Sequence, residues 1–184
     1  MYLLGHVGSA ILLYFLAEQY LGIKNYRNKL IIAFGSMLPD FIDKPIGSLI
    51  FHHGRWLGHS AIIQFLVFGI LYLLDFKYSF YARFRADITL IYLGSIIHIL
   101  GDMQSISLST VFWPFLGPFP SYGSTAFLYG FTSLHTIITE VIGLMIICSI
   151  GYYERWERNY WLFTFTVIIG YVLIYCLALL IFVV

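Results

Sequence analysis

Long apolar runs separated by short charged stretches dominate the hydrophobic pattern of this 184-residue chain. Because a membrane-spanning helix needs about 20 predominantly apolar residues, the pattern predicts six spans. The predicted spans are Leu3–Leu21, Leu30–Phe51, Ala61–Phe76, Ile88–Asp102, Ala126–Ile150 and Trp161–Val184. The chain is therefore predicted to be an all-α integral membrane protein, a six-span helical bundle that forms one domain over residues 1–184.

Two stretches depart from the simple pattern of spans and loops. The second span is interrupted by prolines and charges, namely Pro39, Asp40, Asp43, Lys44 and Pro45, which predicts a broken helix. Broken helices with acidic residues at the break often form binding sites in membrane proteins. Residues 103–125 are rich in Ser, Gly, Pro and aromatic residues, which predicts an irregular outer loop or re-entrant lid.

Composition agrees with a membrane location. Hydrophobic residues make up 60% of the chain and charged residues only 10%, whereas soluble domains carry about 25% charged residues. The net charge of +1 argues against a nucleic-acid partner. Nothing in the composition indicates an oligomeric state.

Basic residues are distributed unevenly between the predicted loops. The loops after the first, third and fifth spans carry eight of the ten Lys and Arg residues, which predicts that these loops face the cytoplasm. Both termini and the remaining loops are then predicted to face outward. Lys44 and Arg55 are the two basic residues on the outer side.

Under this topology all six histidines fall in the outer half of the bundle, at one depth. They are His6, His52, His53, His59, His98 and His135. Asp40, Asp43 and Asp102 reach the same depth, and His98 and Asp102 share one helix face because they are four positions apart. Ionisable groups in membrane segments are energetically costly and commonly mark functional sites. The sequence therefore predicts a site at the outer face.

Imidazole and carboxylate ligands suit zinc, or less specifically manganese or iron. Asp40 or Asp43, with His59, His98 and Asp102, is predicted to hold one ion, and the ligand supply allows one to three. His6 with a bridging carboxylate can begin a second ion site. His135 and Glu140 are predicted to be additional candidate metal ligands.

The catalytic residues are predicted to be Asp43, Lys44 and Arg55. The two cations are suited to holding a phosphate anion, or alternatively they pair with the aspartates as salt bridges. Of Asp40 and Asp43, one can instead orient a histidine ligand.

Four motifs in order resemble a known family. They are MLPDFID, the turn HGRWLGHS, HILGD and the later WPF, and together they cover about residues 1–120. The chain resembles the inner-membrane-associated, metal-dependent hydrolase family once described as LexA-binding. Gly58 stands before His59 where that family more usually has Thr.

The order of His, Asp, His and His-x-x-x-Asp is also similar to zinc-dependent phospholipase C and related zinc nucleases. That resemblance implies a set of zinc ligands in which Asp102 bridges: His6, Asp40, His59, His98 and Asp102. Those enzymes use a later His-x-x-x-Glu, whereas His135 and Glu140 are five apart and poorly aligned on a regular helix.

The function expected from these features is metal-dependent hydrolysis of a phosphoester, in a lipid or lipid-linked substrate, by metal-activated water. The alternative is a divalent metal or proton transporter or channel, since intramembrane carboxylates and histidines also suit transport. The location of the ionisable groups in the outer half favours the hydrolase.

Overall fold

The computed structural model describes residues 3–22, 24–46, 55–78, 84–103, 106–117 and 134–155, together with residues 158, 161, 162, 165 and 169. These residues form six α-helices and no strand, which confirms the all-helical prediction. The helices are α1 (Leu3–Leu21), α2 (Tyr26–Ile46), α3 (Ala61–Tyr78), α4 (Arg85–Asp102), α5 (Leu108–Val111) and α6 (Leu134–Tyr153). A short 3-10 turn, Leu57–His59, precedes α3. His52, His53 and most of the sixth predicted span lie outside the described residues.

Among the described helices, α6 is the one that is long and apolar enough to cross a membrane by length and composition. A shorter apolar helical stretch, Ala61–Leu74, lies within α3. The six-span architecture is therefore not confirmed and stays a prediction.

The second helix is continuous, so the predicted break is wrong for residues 26–46. The helix α2 continues through Pro39, although a proline inside a helix removes one backbone hydrogen bond at a cost of about 3 kcal/mol. Packing offsets this loss, because α2 lies against both α1 and α4. The acidic side chains near Pro39 find partners on neighbouring elements, as described below, and therefore do not require an opened helix.

The pair α2 and α4 runs in the same direction with the two backbones almost in contact. A Cβ atom at Gly94 would overlap the carbonyl oxygen of Ile32, and one at Gly35 would overlap the carbonyl oxygen of Ile91. Small residues allow helices to approach this closely. Here the close approach brings the side chains at the end of α4 against the backbone of α2.

A buried ion cluster joins the ends of three helices. The ammonium group of Lys29 on α2 contacts Glu18 on α1, and it lies 3.0 Å from a carboxylate oxygen of Glu154 just after α6. All three side chains are buried. Lys29 is therefore not an exposed loop charge, which removes it from the basic loop residues used to predict topology.

At the opposite end of the bundle, α1 and α6 are also joined by a carboxylate. Glu140 on α6 accepts hydrogen bonds from the backbone amides of Leu4 and Gly5, each at 3.0 Å. The first amides of a helix have no partner within that helix, so this carboxylate caps α1. The contacts at both ends show that α1 and α6 are parallel, whereas α2 runs antiparallel to them.

Substitution of Gly94 by Ala is expected to destabilise the protein, because the new methyl group would meet the rigid backbone of α2. The expected cost is about 1–3 kcal/mol, as for other overpacked positions. Thermal unfolding in detergent, followed by circular dichroism, measures it.

Gly69→Ala on α3 is the matched control, because no atom lies within 4 Å of a Cβ atom added there. The control is expected to unfold at or above the wild-type temperature, since Ala favours helix more than Gly does. Equal melting temperatures for Gly94→Ala and Gly69→Ala would contradict the close approach of α2 and α4.

Candidate metal centre

Five buried or nearly buried side chains meet at the end of the bundle where α1 begins and α2 and α4 end. They are His6 on α1, Asp40 on α2, His59 in the 3-10 turn, and His98 and Asp102 on α4. Asp40 is the most accessible of them, at 9% exposure, and each of the others is at most 2% exposed. Residues that are far apart in sequence therefore share one small volume.

The centre of this group is formed by two imidazole nitrogens. Nε2 of His59 and Nε2 of His98 lie 3.2 Å apart. Oδ1 of Asp40 lies 3.6 Å from the first and 3.8 Å from the second, and Oδ2 of Asp102 lies 3.9 Å from both. Ligand atoms around tetrahedral zinc at about 2.0–2.1 Å are about 3.3 Å apart, so the observed spacing is close to that of a coordination shell.

The other nitrogen of each ring is already engaged. Nδ1 of His98 lies 2.6 Å from the carbonyl oxygen of Ser36, and Nδ1 of His59 lies 2.7 Å from Oδ2 of Asp43. A carbonyl or a carboxylate can only accept, so both Nδ1 atoms donate and a neutral ring carries its lone pair on Nε2. Two lone pairs then face each other in a buried space, an arrangement that a cation between them would stabilise. The flanking carboxylates favour a divalent metal ion over a single proton.

A second group of potential ligand atoms shares His98 with the first group, which is formed by Asp40, His59 and His98. Nε2 of His6 lies 3.2 Å from Oδ1 of Asp102, and the His6 ring stacks on the His98 ring with centroids 3.7 Å apart. The potential ligand atoms of His6, His98 and Asp102 all lie within 4.8 Å of one another. Because its two oxygens face different groups, Asp102 occupies a bridging position.

Asp43 holds the turn and the His59 ring in place. Its carboxylate accepts hydrogen bonds from the backbone amides of Trp56 at 2.5 Å, Gly58 at 2.8 Å and His59 at 3.0 Å, as well as from the His59 ring. Asp43 is fully buried. With its oxygens engaged in this way, Asp43 lies where it can orient His59, which favours the positioning role over the catalytic role among the two roles considered for it.

Gly58 fits the same arrangement. A Cβ atom at this position would lie 2.8 Å from the carbonyl oxygen of Pro39 and 3.0 Å from Oδ1 of Asp43. The glycine thus allows the turn to lie directly on α2, so its departure from the more usual Thr agrees with the packing observed here.

The two cations lie at the accessible side of the cluster. Nζ of Lys44 is 2.7 Å from Oδ2 of Asp40, and a terminal nitrogen of Arg55 is 3.5 Å from Oδ2 of Asp102. Their side chains are 26% and 31% exposed. Both predicted arrangements for these residues, ion pairing and contact with an incoming anion, are compatible with this position.

Two predicted ligands do not join the cluster. His135 is exposed near the start of α6, and Glu140 caps α1. Neither belongs to the two groups of potential ligand atoms found among the described residues. Their spacing of five positions turns the two side chains away from a common helix face. The geometry therefore does not support the prediction that they are additional metal ligands.

Sequence reasoning missed two parts of this end of the protein. The carbonyl oxygen of Ser36 orients His98, but a backbone acceptor leaves no signal in a single sequence. The hydroxyl of Ser60 donates to the carbonyl oxygen of Trp113 at 3.0 Å and thereby ties the turn to the outer loop. Ser60 ends the HGRWLGHS motif and Trp113 begins the WPF motif, but neither motif indicates contact with the other.

Together these features define an all-helical protein with a buried cluster of histidines and aspartates. The chain belongs to the YdjM inner membrane protein family, whose sequence profile matches residues 1–182. No curated protein and no solved structure matches the chain. Family membership confirms the membrane location and the inner-membrane part of the predicted resemblance. The metal-dependent hydrolase part of that resemblance stays a prediction.

Asp43→Asn is expected to weaken metal binding about 10–100-fold, the range typical for residues that orient metal ligands. The amide would place an NH2 group against at least one N–H donor and would release the His59 ring. Competition with a fluorescent zinc chelator measures the affinity, at a temperature where circular dichroism shows the variant folded.

Asp87→Asn is the matched control, since Asp87 pairs with Arg27 at the opposite end of α4. It is expected to keep wild-type affinity. Wild-type affinity in Asp43→Asn would show that Asp43 does not position His59 for a metal ion.

Proposed function

We propose that this protein is a membrane-bound, metal-dependent hydrolase that cleaves a phosphoester of a lipid or lipid-linked substrate. The observation that supports the proposal most strongly is the pair of imidazole Nε2 atoms, 3.2 Å apart and flanked by the carboxylates of Asp40 and Asp102. A set of two histidines and two carboxylates suits zinc, and manganese and iron accept the same ligand types.

A divalent ion bound at this centre supplies Lewis acidity and a water molecule whose pKa is lowered to about 7. The chain's own residues fix the geometry around it. Ser36 and Asp43 hold the two imidazole rings so that both Nε2 lone pairs converge. Asp102 presents one oxygen to this pair and the other to His6, so that Asp102 and His6 would be the ligands to hold a second ion.

Phosphate binding is supported by the charges at the accessible side. Lys44 lies beside the most exposed ligand, Asp40, and Arg55 lies beside Asp102; both cations are partly exposed. Anionic oxygens of a phosphoester entering from this side would be held by hydrogen bonds to these charged groups. Phe41 and Ile42, next to Asp40 on α2, are exposed and apolar, which suits the hydrocarbon part of a lipid.

The transport alternative receives less support from the core. His6 and Glu18 are twelve positions apart on α1, or about 18 Å along the helix. Between the cluster of potential ligands and the ion cluster of Glu18, the described core contains a tightly packed apolar layer that includes Ala10, Ile32 and Leu90. A layer of this kind does not provide a polar pathway through the described part of the bundle.

The hydrolase proposal predicts that purified protein contains about one to two divalent ions per chain, as one-metal and two-metal hydrolytic sites do. His98→Ala removes a ligand shared by both groups and is expected to abolish metal binding and hydrolysis. The measurements are the metal content of the purified protein and its rate of hydrolysis of a panel of phosphomonoester, phosphodiester and phospholipid substrates.

His135→Ala is the matched control, because this exposed histidine lies outside both groups of potential ligands. It is expected to retain metal and turnover. Hydrolysis that persists in His98→Ala would refute the assignment. Metal flux into liposomes, without turnover of any substrate in the panel, would instead select transport.

We further propose that the metal centre faces the outer side of the membrane and that the loop after α1 faces the cytoplasm. With Lys29 set aside as a buried residue, the loops on the predicted cytoplasmic side still carry most of the basic residues. The test uses Lys24→Cys at an exposed position, in a chain with Cys148 and Cys176 changed to Ser. The new cysteine is expected to react with a membrane-impermeant maleimide only after the membrane is permeabilised. Reaction in intact cells would show that the orientation is the reverse of the one proposed.

A further inference from the structure

A compact segment between α4 and α6 presents an apolar surface at the same end as the candidate metal centre. Its outward side chains are Leu108, Phe112, Phe115 and Leu116, which are 57%, 40%, 76% and 55% exposed. We call these four residues the interfacial face. Large apolar side chains that are exposed together indicate an interaction surface.

The opposite side of this segment is fixed to the protein. Ile106 and Val111 are buried and pack with Ile99 of α4, and Ala61 at the start of α3 packs against them. The apolar surface is therefore held on a rigid support.

Many polar groups of the segment are hydrogen-bonded within it. The Ser107 side chain caps α5 by accepting from the amide of Thr110 at 3.2 Å, and it also hydrogen-bonds the hydroxyl groups of Ser109 and Thr110. Backbone amides from residue 110 to 113, and that of Phe115, donate to carbonyls within the segment, and Pro114 has no amide hydrogen. Each of these hydrogen bonds lowers the energetic cost of placing the backbone against lipid.

Two hydrogen bonds connect the segment to the candidate ligands. The amide of Ile106 donates to the carbonyl oxygen of Asp102 at 3.0 Å. The carbonyl oxygen of Trp113 accepts from the hydroxyl of Ser60, the residue directly after His59. The position of this segment in a membrane therefore sets the depth of the metal centre.

We propose that the interfacial face inserts into the membrane at the boundary between headgroups and acyl chains, in the outer leaflet if the orientation proposed above holds. The partner is lipid, because the chain belongs to an inner membrane family and the helices at the same end also expose apolar residues, Leu100 of α4 and Phe65 of α3. At four residues, α5 is far too short to span, so the segment lies in the interface. The proposal does not depend on hydrolase activity.

The test measures the depth of Phe115 in a bilayer. Phe115→Cys is made in the full chain with Cys148 and Cys176 changed to Ser, labelled with bimane and reconstituted into phosphatidylethanolamine and phosphatidylglycerol vesicles. The vesicles contain a lipid with a nitroxide either near the carboxyl end of its acyl chain or near its middle. Leu116→Cys gives a second reading if Phe115→Cys does not fold.

The shallow nitroxide is expected to quench the label more strongly than the deep one, since interfacial segments sit about 5–10 Å into the headgroup and acyl boundary. Met145→Cys in the middle of α6, which is 62% exposed, is the matched control and is expected to show the reverse order. Quenching by aqueous iodide but by neither lipid would overturn the proposal. Protection from both iodide and lipid, with cross-linking between copies, would assign the face to a second copy of the chain and overturn it as well.

Discussion

The arrangement at the end of the bundle depends on one electrostatic constraint. Two imidazole rings that donate from Nδ1 would, in their neutral forms, direct their Nε2 lone pairs at each other across 3.2 Å in a buried space. Such a contact is unfavourable in a medium of low dielectric unless a cation lies between the nitrogens. The carboxylates of Asp40 and Asp102 complete an environment suited to a positive ion.

This constraint is produced by packing between two helix backbones. Gly35 and Gly94 let α2 and α4 approach until the carbonyl oxygen of Ser36 reaches the His98 ring. In parallel, Asp43 gathers three backbone amides and the His59 ring on one carboxylate. The orientation of both rings therefore comes from residues that are not themselves candidate ligands, as is usual for metal sites.

The two ends of the bundle contain different ionic clusters with an apolar layer between them. At one end, histidines and aspartates converge with two partly exposed cations beside them. At the other, Lys29 is enclosed by Glu18 and Glu154, which fixes three helix ends to one another. A buried ion group of this kind adds little net stability, yet loss of one member would leave an uncompensated charge. Its role is consistent with holding helix register.

The hydrophobic pattern and the residue chemistry predicted the helical class of this protein and its candidate ligands. The bounds of α1 and the all-helical class follow from apolar runs, and the composition agrees with the inner membrane family. The i,i+4 spacing of His98 and Asp102 and the proposed common depth of the histidines led to the candidate ligands, because long apolar helices restrict where polar residues can lie.

Tertiary structure alone decided the remaining features. It kept α2 continuous through Pro39, because contacts with α1 and α4 outweigh one lost hydrogen bond. It placed Asp43 where it can orient His59 and made Glu140 a helix cap, since a carboxylate binds whichever donors the fold brings to it. Sequence spacing reports which residues share a helix face, but the partners of a side chain depend on how neighbouring helices cross.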